Sequence, residues 1–341
     1  MPKAVLLFFA KAFILLSPAI FLLCAYFVLD PFKVLRTYDS YYISGIPSYV
    51  TLNNDFVATE TFKKYYASNQ YDSFIFGSSR SRFYEVADWQ KYIRSTRCFH
   101  YDSSAESLYG IHAKLRYLDR SGIKINNALI ILDSGLLSDV QNSESHFVRK
   151  HPDLSGESSV KFQLRFLKTF LNPRFVVAYL HFSATKKFYP YMAKESLLNN
   201  TPMEYELFSN ELKFNRIEAK ISSNPAAFYD ERKKSFYARG VEQSFSPPVI
   251  GEVQKKMLSE MRDILFRHQC KFKILISPLY DQKKIDLKDL SYLQGMFGPG
   301  RVYDFSGINN FTQSYTNYYD SSHYRPHVAR EIMAIIYNKQ N

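Results

Sequence analysis

Apolar residues run almost unbroken from Ala4 to Leu29, interrupted by Lys11, Ser17 and Pro18. Coiled as a helix, that run would reach about 39 Å, more than the roughly 30 Å of a bilayer's hydrocarbon core, so one tilted membrane span is expected. A cleaved signal peptide would use similar residues. The run is longer than the apolar part of such a leader, however, and Leu22-Leu23-Cys24 lacks the small residue expected before the cysteine of a lipoprotein cleavage site. An uncleaved anchor over residues 1–30 is therefore expected. Lys3, Lys11 and the amino group on one side, against Lys33 and Arg36 on the other, favour a cytoplasmic amino terminus.

No comparable run follows, and residues 31–341 read as one globular body. Short β-type runs recur through it at 73–76, 98–101, 128–132, 272–276 and 302–305. They are too short for buried helices, and two are nearly continuous apolar stretches, as strands covered on both faces should be. Helical periodicity falls between them: Leu108, Ile111, Leu115 and Leu118 share one face, and Met257, Met261, Ile264 and Leu265 another. Strands alternating with helices predict an α/β fold around a five-stranded parallel sheet. The stretch between the third and fourth runs, about 138–250, is far longer than a crossover requires. It reads as an inserted, mostly helical cap with basic clusters at Lys186-Lys187 and Arg232-Lys233-Lys234. A solvated charged face accounts for those clusters without any ligand.

Composition narrows the class. With 46% hydrophobic residues the body can bury a core, and 12 Gly and 14 Pro exclude collagen-like or flexible-linker architectures. Aromatic residues are abundant, 29 Phe and 27 Tyr against a single Trp, and the cap has its share, so it should fold. The 44 Lys and Arg outnumber 32 acids for a net charge of +12, which suits phospholipid headgroups, acidic glycans or nucleic acid. No nucleic-acid-binding motif accompanies the charge, so nucleic acid is not an expected partner. With Cys24 inside the span, the body keeps Cys98 and Cys270, too few for a disulfide framework.

Two polar segments carry candidate chemistry. Phe74-Ile75-Phe76-Gly77-Ser78-Ser79-Arg80-Ser81 is a strand that ends in Gly-Ser-Ser and runs on into a helical pattern. In open α/β sheets ligands bind at the carboxyl edge of the strands, and a glycine there allows a tight turn that exposes a hydroxyl beside the free amides of the next helix. The same residues would also serve as a plain turn and helix cap. Tyr319-Asp320-Ser321-Ser322-His323-Tyr324-Arg325-Pro326 precedes a helix with Val328, Ile332 and Ile336 on its inner face and Pro326 in its first turn. An aspartate three residues before a histidine can orient the imidazole and leave its second nitrogen free as a general base. The bland alternative is a capping Asp or Ser beside a structural His. His323 and His327 are four apart, but without a nearby third ligand no metal is expected.

In order and spacing the two segments resemble the SGNH hydrolase superfamily, the GDSL-like serine esterases and acyltransferases. The resemblance implies Ser79 as nucleophile, His323 as base and Asp320 as its orienter, with no cofactor. Phe-Gly-Ser-Ser-Arg behind an N-terminal anchor is more similar to the membrane-anchored branch related to the D-alanyl transfer protein of teichoic acid modification and to alginate acetylation factors. In that branch a serine replaces the usual aspartate before the nucleophile, as Ser78 does here. The resemblance also implies a flavodoxin-like three-layer sandwich of strand order 2-1-3-4-5, which would put Cys98 on an edge strand and out of disulfide reach of Cys270. Oxyanion donors would be the backbone amides of Ser79 and, in the second block Tyr101-Asp102-Ser103-Ser104-Ala105, of Ser104. Arg80 and Arg325 are candidate substrate contacts. The family's third block normally supplies an asparagine to the oxyanion hole, whereas this chain reads Leu132-Asp133-Ser134-Gly135. Losing one such donor typically costs about a hundredfold to a thousandfold in rate.

The expectation is a membrane-tethered serine acyltransferase or esterase acting on O-acyl groups, acetyl first among them, of an extracytoplasmic polysaccharide at a bacterial inner membrane. A multipass membrane acyltransferase is the implied donor partner. The missing asparagine keeps an alternative open: a catalytically inactive scaffold of the same fold that binds a glycan or a membrane partner through its basic, aromatic cap.

Overall fold

The computed structural model describes residues 3–338. Five parallel strands form one sheet: β1 (Ser73–Phe76), β2 (Cys98–His100), β3 (Asn127–Leu132), β4 (Lys271–Ile276) and β5 (Val302–Asp304), in the order β2-β1-β3-β4-β5. The longer helices are α1 (Lys3–Leu29), α2 (Asn54–Asn69), α3 (Val86–Ile93), α4 (Leu108–Arg120), α5 (Ser159–Phe170), α6 (Pro173–Thr185), α7 (Asn215–Ser223), α8 (Glu252–Arg267), α9 (Leu287–Phe297) and α10 (Pro326–Asn338). Every residue of β1 and β3 is buried, which is why those runs are unbroken rather than alternating in hydropathy. Successive side chains point to opposite faces and feed two cores. Phe74, Phe76, Ile130 and Ile274 meet α4, α8 and α9, while Ile75, Leu129, Ile131 and Leu275 meet α3 and α10.

Local signals explain several boundaries. The Asn53 side chain accepts the Phe56 amide at the start of α2, and the Ser107 hydroxyl accepts the Gly110 amide at the start of α4. In α8 the inner face is Leu258, Met261, Ile264 and Leu265; Met257, expected there, is a half-exposed flank, because the buried stripe runs through 258, 261 and 265. Cys98 lies on the edge strand and Cys270 just before β4, both buried and unbridged. Burial pushes both thiols up, that of Cys98 to about 12.

The α1 helix is long and apolar enough to cross a membrane. Its last turns do not stand apart from the body: Tyr26 joins a third core with Phe32, Tyr41, Phe56, Phe162, Phe166 and Phe170. The insertion therefore shares its interior with residues that precede the sheet. It is also less purely helical than expected. A hairpin pairs Glu204–Glu206 with Glu211–Lys213, and Asn199–Pro202 pairs with Pro47–Tyr49.

Four charged side chains lock this lobe to the α/β domain. Lys114 Nζ lies 3.1 Å from Asp55 Oδ2 and 2.5 Å from Glu106 Oε2, and Lys150 Nζ lies 3.3 Å from Asp55 Oδ2 and 2.5 Å from Glu106 Oε1. All four are buried. Gly110 leaves the room they need, since a Cβ there would run into the Glu106 carboxylate and the Lys150 side chain.

Candidate active site

At the end of β1 the chain must turn sharply across β3. Gly77 does this at φ +155°, and a Cβ on it would come within 2.9 Å of Ser81 Cβ and 3.0 Å of Ile131 Cβ. The turn continues as one 3-10 segment, Ser79–Phe83. The Ser81 hydroxyl ties it down, 2.6 Å from the Ser78 carbonyl and 3.0 Å from Asp102 Oδ2 in the loop after β2. Ser79 is thereby presented at the carboxyl edge of the sheet.

The second polar segment meets it there. Tyr318–Asp320 and His323–Tyr324 form a small antiparallel pair leading into α10. Ser79 Oγ lies 3.0 Å from His323 Nε2, and His323 Nδ1 lies 3.0 Å from both Asp320 oxygens. Asp320 Oδ1 also accepts the amides of Ser322 at 2.7 Å and His323 at 3.0 Å. Burial alone would raise the Asp320 carboxyl; the hydrogen bond and charge of His323, helped by those two amides, outweigh it and hold the group below the usual carboxylate range. An ionised Asp320 requires the proton on Nδ1 and so turns the Nε2 lone pair towards Ser79.

The second-block loop is zipped to β1 by Tyr101 N to Ile75 O, 2.9 Å, and Ser103 N to Gly77 O, 3.2 Å. Among the described residues the amides of Ser79 and Ser104 donate to no protein acceptor, and of the two Ser79 lines the cleft. The third block does not supply a neutral donor. Asp133 instead caps the helix Ser134–Ser138 through the Leu136 amide and pairs with Arg80 Nη1 at 2.7 Å. Arg80 Nε reaches on to the Ser322 carbonyl at 3.2 Å, so Arg80 braces the histidine loop against the end of β3. Arg325 holds Glu218 of α7 with two bonds, 2.9 and 2.6 Å, and Tyr319 Oη adds a third at 2.6 Å. Both arginines singled out in the sequence as substrate contacts are thus committed to protein partners.

Two other arginines line the cleft, and they too have protein partners, Arg82 at 3.9 Å from Asp102 Oδ2 and Arg232 at 3.7 Å from Glu231 Oε2. A cleft of about 250 Å³ is lined by Ser79, Asp320 and His323 together with Arg82, Phe83, Phe214, Ile217, Phe228, Arg232 and Tyr319. Phe214, Ile217, Phe228 and Arg232 come from the insertion, which therefore walls the site. Arg232 belongs to a cluster that sequence alone explains as a solvated face; its guanidinium sits 3.8 Å over the Phe228 ring. Arg82 Nη2 donates to Asn54 Oδ1 at 3.1 Å and Ser104 Oγ at 3.0 Å, tying α2 to the second-block loop. An asparagine does approach, from α2 rather than the third block, but Asn54 Nδ2 donates to Tyr42 Oη at 2.9 Å.

A larger cavity, about 740 Å³, opens beside Asn127 and Lys271 at the opposite, amino ends of the strands and contains none of the serine, histidine and aspartate groups described above. Glu60, His151 and Asp153 have metal-like spacing, but Lys63 Nζ bonds Glu60 at 2.7 Å and Asp153 at 2.8 Å, so the chain's own cation serves these carboxylates. His327 turns to Asn317 Oδ1 at 3.1 Å and forms no pair with His323.

No protein-family model matches the chain, and no curated protein is significantly similar to it. Fold and site together define an α/β protein with one apolar N-terminal helix and a serine–histidine–aspartate array at the carboxyl edge of its parallel sheet.

Proposed function

We propose that the chain is a membrane-tethered serine acyltransferase or esterase of the flavodoxin-like SGNH type, moving or removing an O-acyl group, acetyl first among them, on an extracytoplasmic polysaccharide. The observation that carries this reading is the 3.0 Å contact of Ser79 Oγ with His323 Nε2, backed by the Asp320 carboxylate. His323 takes the hydroxyl proton as Ser79 Oγ attacks the ester carbonyl carbon. The oxyanion so formed is met by the amides of Ser79 and Ser104, which donate to no protein acceptor among the described residues. Collapse expels the alcohol, which receives the proton from His323, and leaves an ester on Ser79. Water or a sugar hydroxyl then attacks that ester and gives its proton to His323, which passes it to Ser79 Oγ as the serine leaves and the acyl group departs on the acceptor. Arg82 and Arg232 bring positive charge to the cleft for the polar part of the substrate, and Phe83, Phe214 and Phe228 offer apolar walls to the rest.

Labelling of the full chain in detergent with a fluorophosphonate tests this. Wild type should be labelled at Ser79, and Ser79→Ala and His323→Ala should not. A folded wild type that stays unlabelled would leave the inactive scaffold as the reading; what favours that alternative is the commitment of Asp133 to Arg80 and a helix cap where the family has an oxyanion donor.

The brace through Arg80 gives a second expectation. Arg80→Ala removes the hold on the Ser322 carbonyl, one residue before the base, without touching substrate. On a chromogenic acetyl ester kcat should fall about tenfold to a hundredfold with KM little changed, since small misplacements of a base cost rate rather than binding. An unchanged kcat, or a loss confined to KM, would contradict the brace.

A further inference from the structure

We propose that the α5–α6 hairpin of the insertion is a membrane-facing surface that rests on anionic lipid headgroups beside α1. The first observation is continuity. Tyr26, near the end of α1, is buried with its ring 5.4 Å from that of Phe170 at the tip of the hairpin, and its hydroxyl lies 3.5 Å from Gln163 on α5. Leu22 and Ala25 also pack on this core, whereas Leu7, Phe8, Phe13 and Leu15, further up the helix, are bare. The exit from the helix is fixed as well: Asp30 accepts the amide of Val34 at 2.9 Å, and Arg36 Nη2 donates to the carbonyls of Phe27 and Val28 at 2.6 and 3.0 Å. About twenty residues of helix fill the hydrocarbon core, and each adds about 1.5 Å, so with the bare part of α1 immersed Tyr26 lies in the headgroup zone. The turn between α5 and α6, packed on Tyr26, lies at the same depth.

The second observation is the surface itself. Residues 158–194 include seven Lys or Arg and no Asp or Glu. Arg165 is used inward, paired with Glu144 and Glu157. Lys161, Lys168, Lys186 and Lys187 are exposed and form no ion pair among the described residues. On α5, Phe162, Phe166 and Phe170 line the buried face. The opposite stripe alternates cation and aliphatic, Lys161, Leu164, Lys168 and Leu171, with Leu164 56% and Leu171 40% exposed; Val177 on α6 is 61% exposed. Lysine heads among outward leucines suit a helix lying in a bilayer's interface, where anionic headgroups meet the charges and the acyl boundary meets the aliphatic groups. An acidic glycan would match the lysines and leave the aliphatic side chains in water.

The test uses the full chain in lipid nanodiscs. In a Cys24→Ala background, Leu171→Cys carries an environment-sensitive fluorophore; Cys98 and Cys270 are buried, so one label per chain also reports an intact fold. Quenching by a headgroup-proximal spin-labelled lipid should be about twofold or more greater in phosphatidylcholine–phosphatidylglycerol discs than in phosphatidylcholine alone. Lys161→Glu with Lys168→Glu should erase that difference. A label at Val241→Cys, 94% exposed in wild type, should stay unquenched. Quenching at 171 no greater than at 241, equal quenching in both lipids, or shielding that appears only when an acidic polysaccharide is added would each overturn the proposal. None of these outcomes depends on the chemistry of Ser79.

Discussion

On a soluble activated ester, Asp320→Asn is expected to lower kcat about ten-thousand-fold while KM stays within a few fold, the size of effect that follows when a catalytic histidine loses its orienting carboxylate. The carboxylate faces three N–H donors, those of His323 Nδ1, Ser322 and His323. An asparagine fits the space but presents an NH₂ on one side, and the histidine can satisfy it by moving its proton to Nε2. The nitrogen that faces Ser79 would then carry a hydrogen and could not accept one. Ser79→Ala should reach the same floor or a lower one, and combining the two should cost little beyond the larger single loss, because they act as one unit. Activity of Asp320→Asn within tenfold of wild type would mean that the array is structural.

Lys150→Met is expected to destabilise the fold by about 3–5 kcal/mol, because it leaves Asp55, Glu106 and Lys114 buried with one uncompensated negative charge. In a chain of this size the unfolding midpoint should fall by roughly 10 °C. Adding Glu106→Gln restores neutrality, so the double variant should be more stable than the sum of the single losses predicts. The pH dependence has two limbs. Burial would raise the Asp55 carboxyl, but the Lys114 and Lys150 charges outweigh it and hold it below its ordinary 3.8, so its contribution is present above that value and lost as pH falls through the lower one. Burial would lower Lys150, but Asp55 and Glu106 outweigh it and push the amine above its ordinary 10.5. Its contribution is therefore present below 10.5 and lost as pH rises through the higher value. Thermal melts across pH should show Lys150→Met losing the alkaline limb. A midpoint unchanged from wild type would show that the four charges are not coupled.

Some of this architecture lies on the surface of the sequence. The five strand runs are recognisable because strands covered on both faces are short and apolar throughout. Ser79, Asp320 and His323 stand in two compact motifs whose chemistry is local: a strand-ending glycine, and an aspartate three residues before a histidine. Their 244-residue separation is closed by the sheet order, which brings β1 and the loop before α10 to the same edge. What was not legible depends on contacts with no local period. Arg80 and Arg325 look free until Asp133 and Glu218 are brought beside them from distant segments. Phe228 and Arg232 give no sign of lining the cleft, since Phe228 packs with the sheet residues Ile75, Leu129 and Leu275 from a segment far away in sequence. Arg82 is within reach of the sequence: it follows the Gly77-Ser78-Ser79 motif, three residues past Ser79, one turn along the same 3-10 segment.

The burial of Tyr26 has a mechanical consequence. A domain hung from a slack linker sweeps out a volume above its membrane and can meet partners at many heights and headings. Here the stalk is seated in its own load: the last turns of α1 are part of the aromatic interior, and Asp30 and Arg36 clamp the exit. The body is mounted rather than tethered. With α1 in a bilayer the cleft would keep one elevation above it, and a peptidase cut that released the helix would also pull a piece out of the interior.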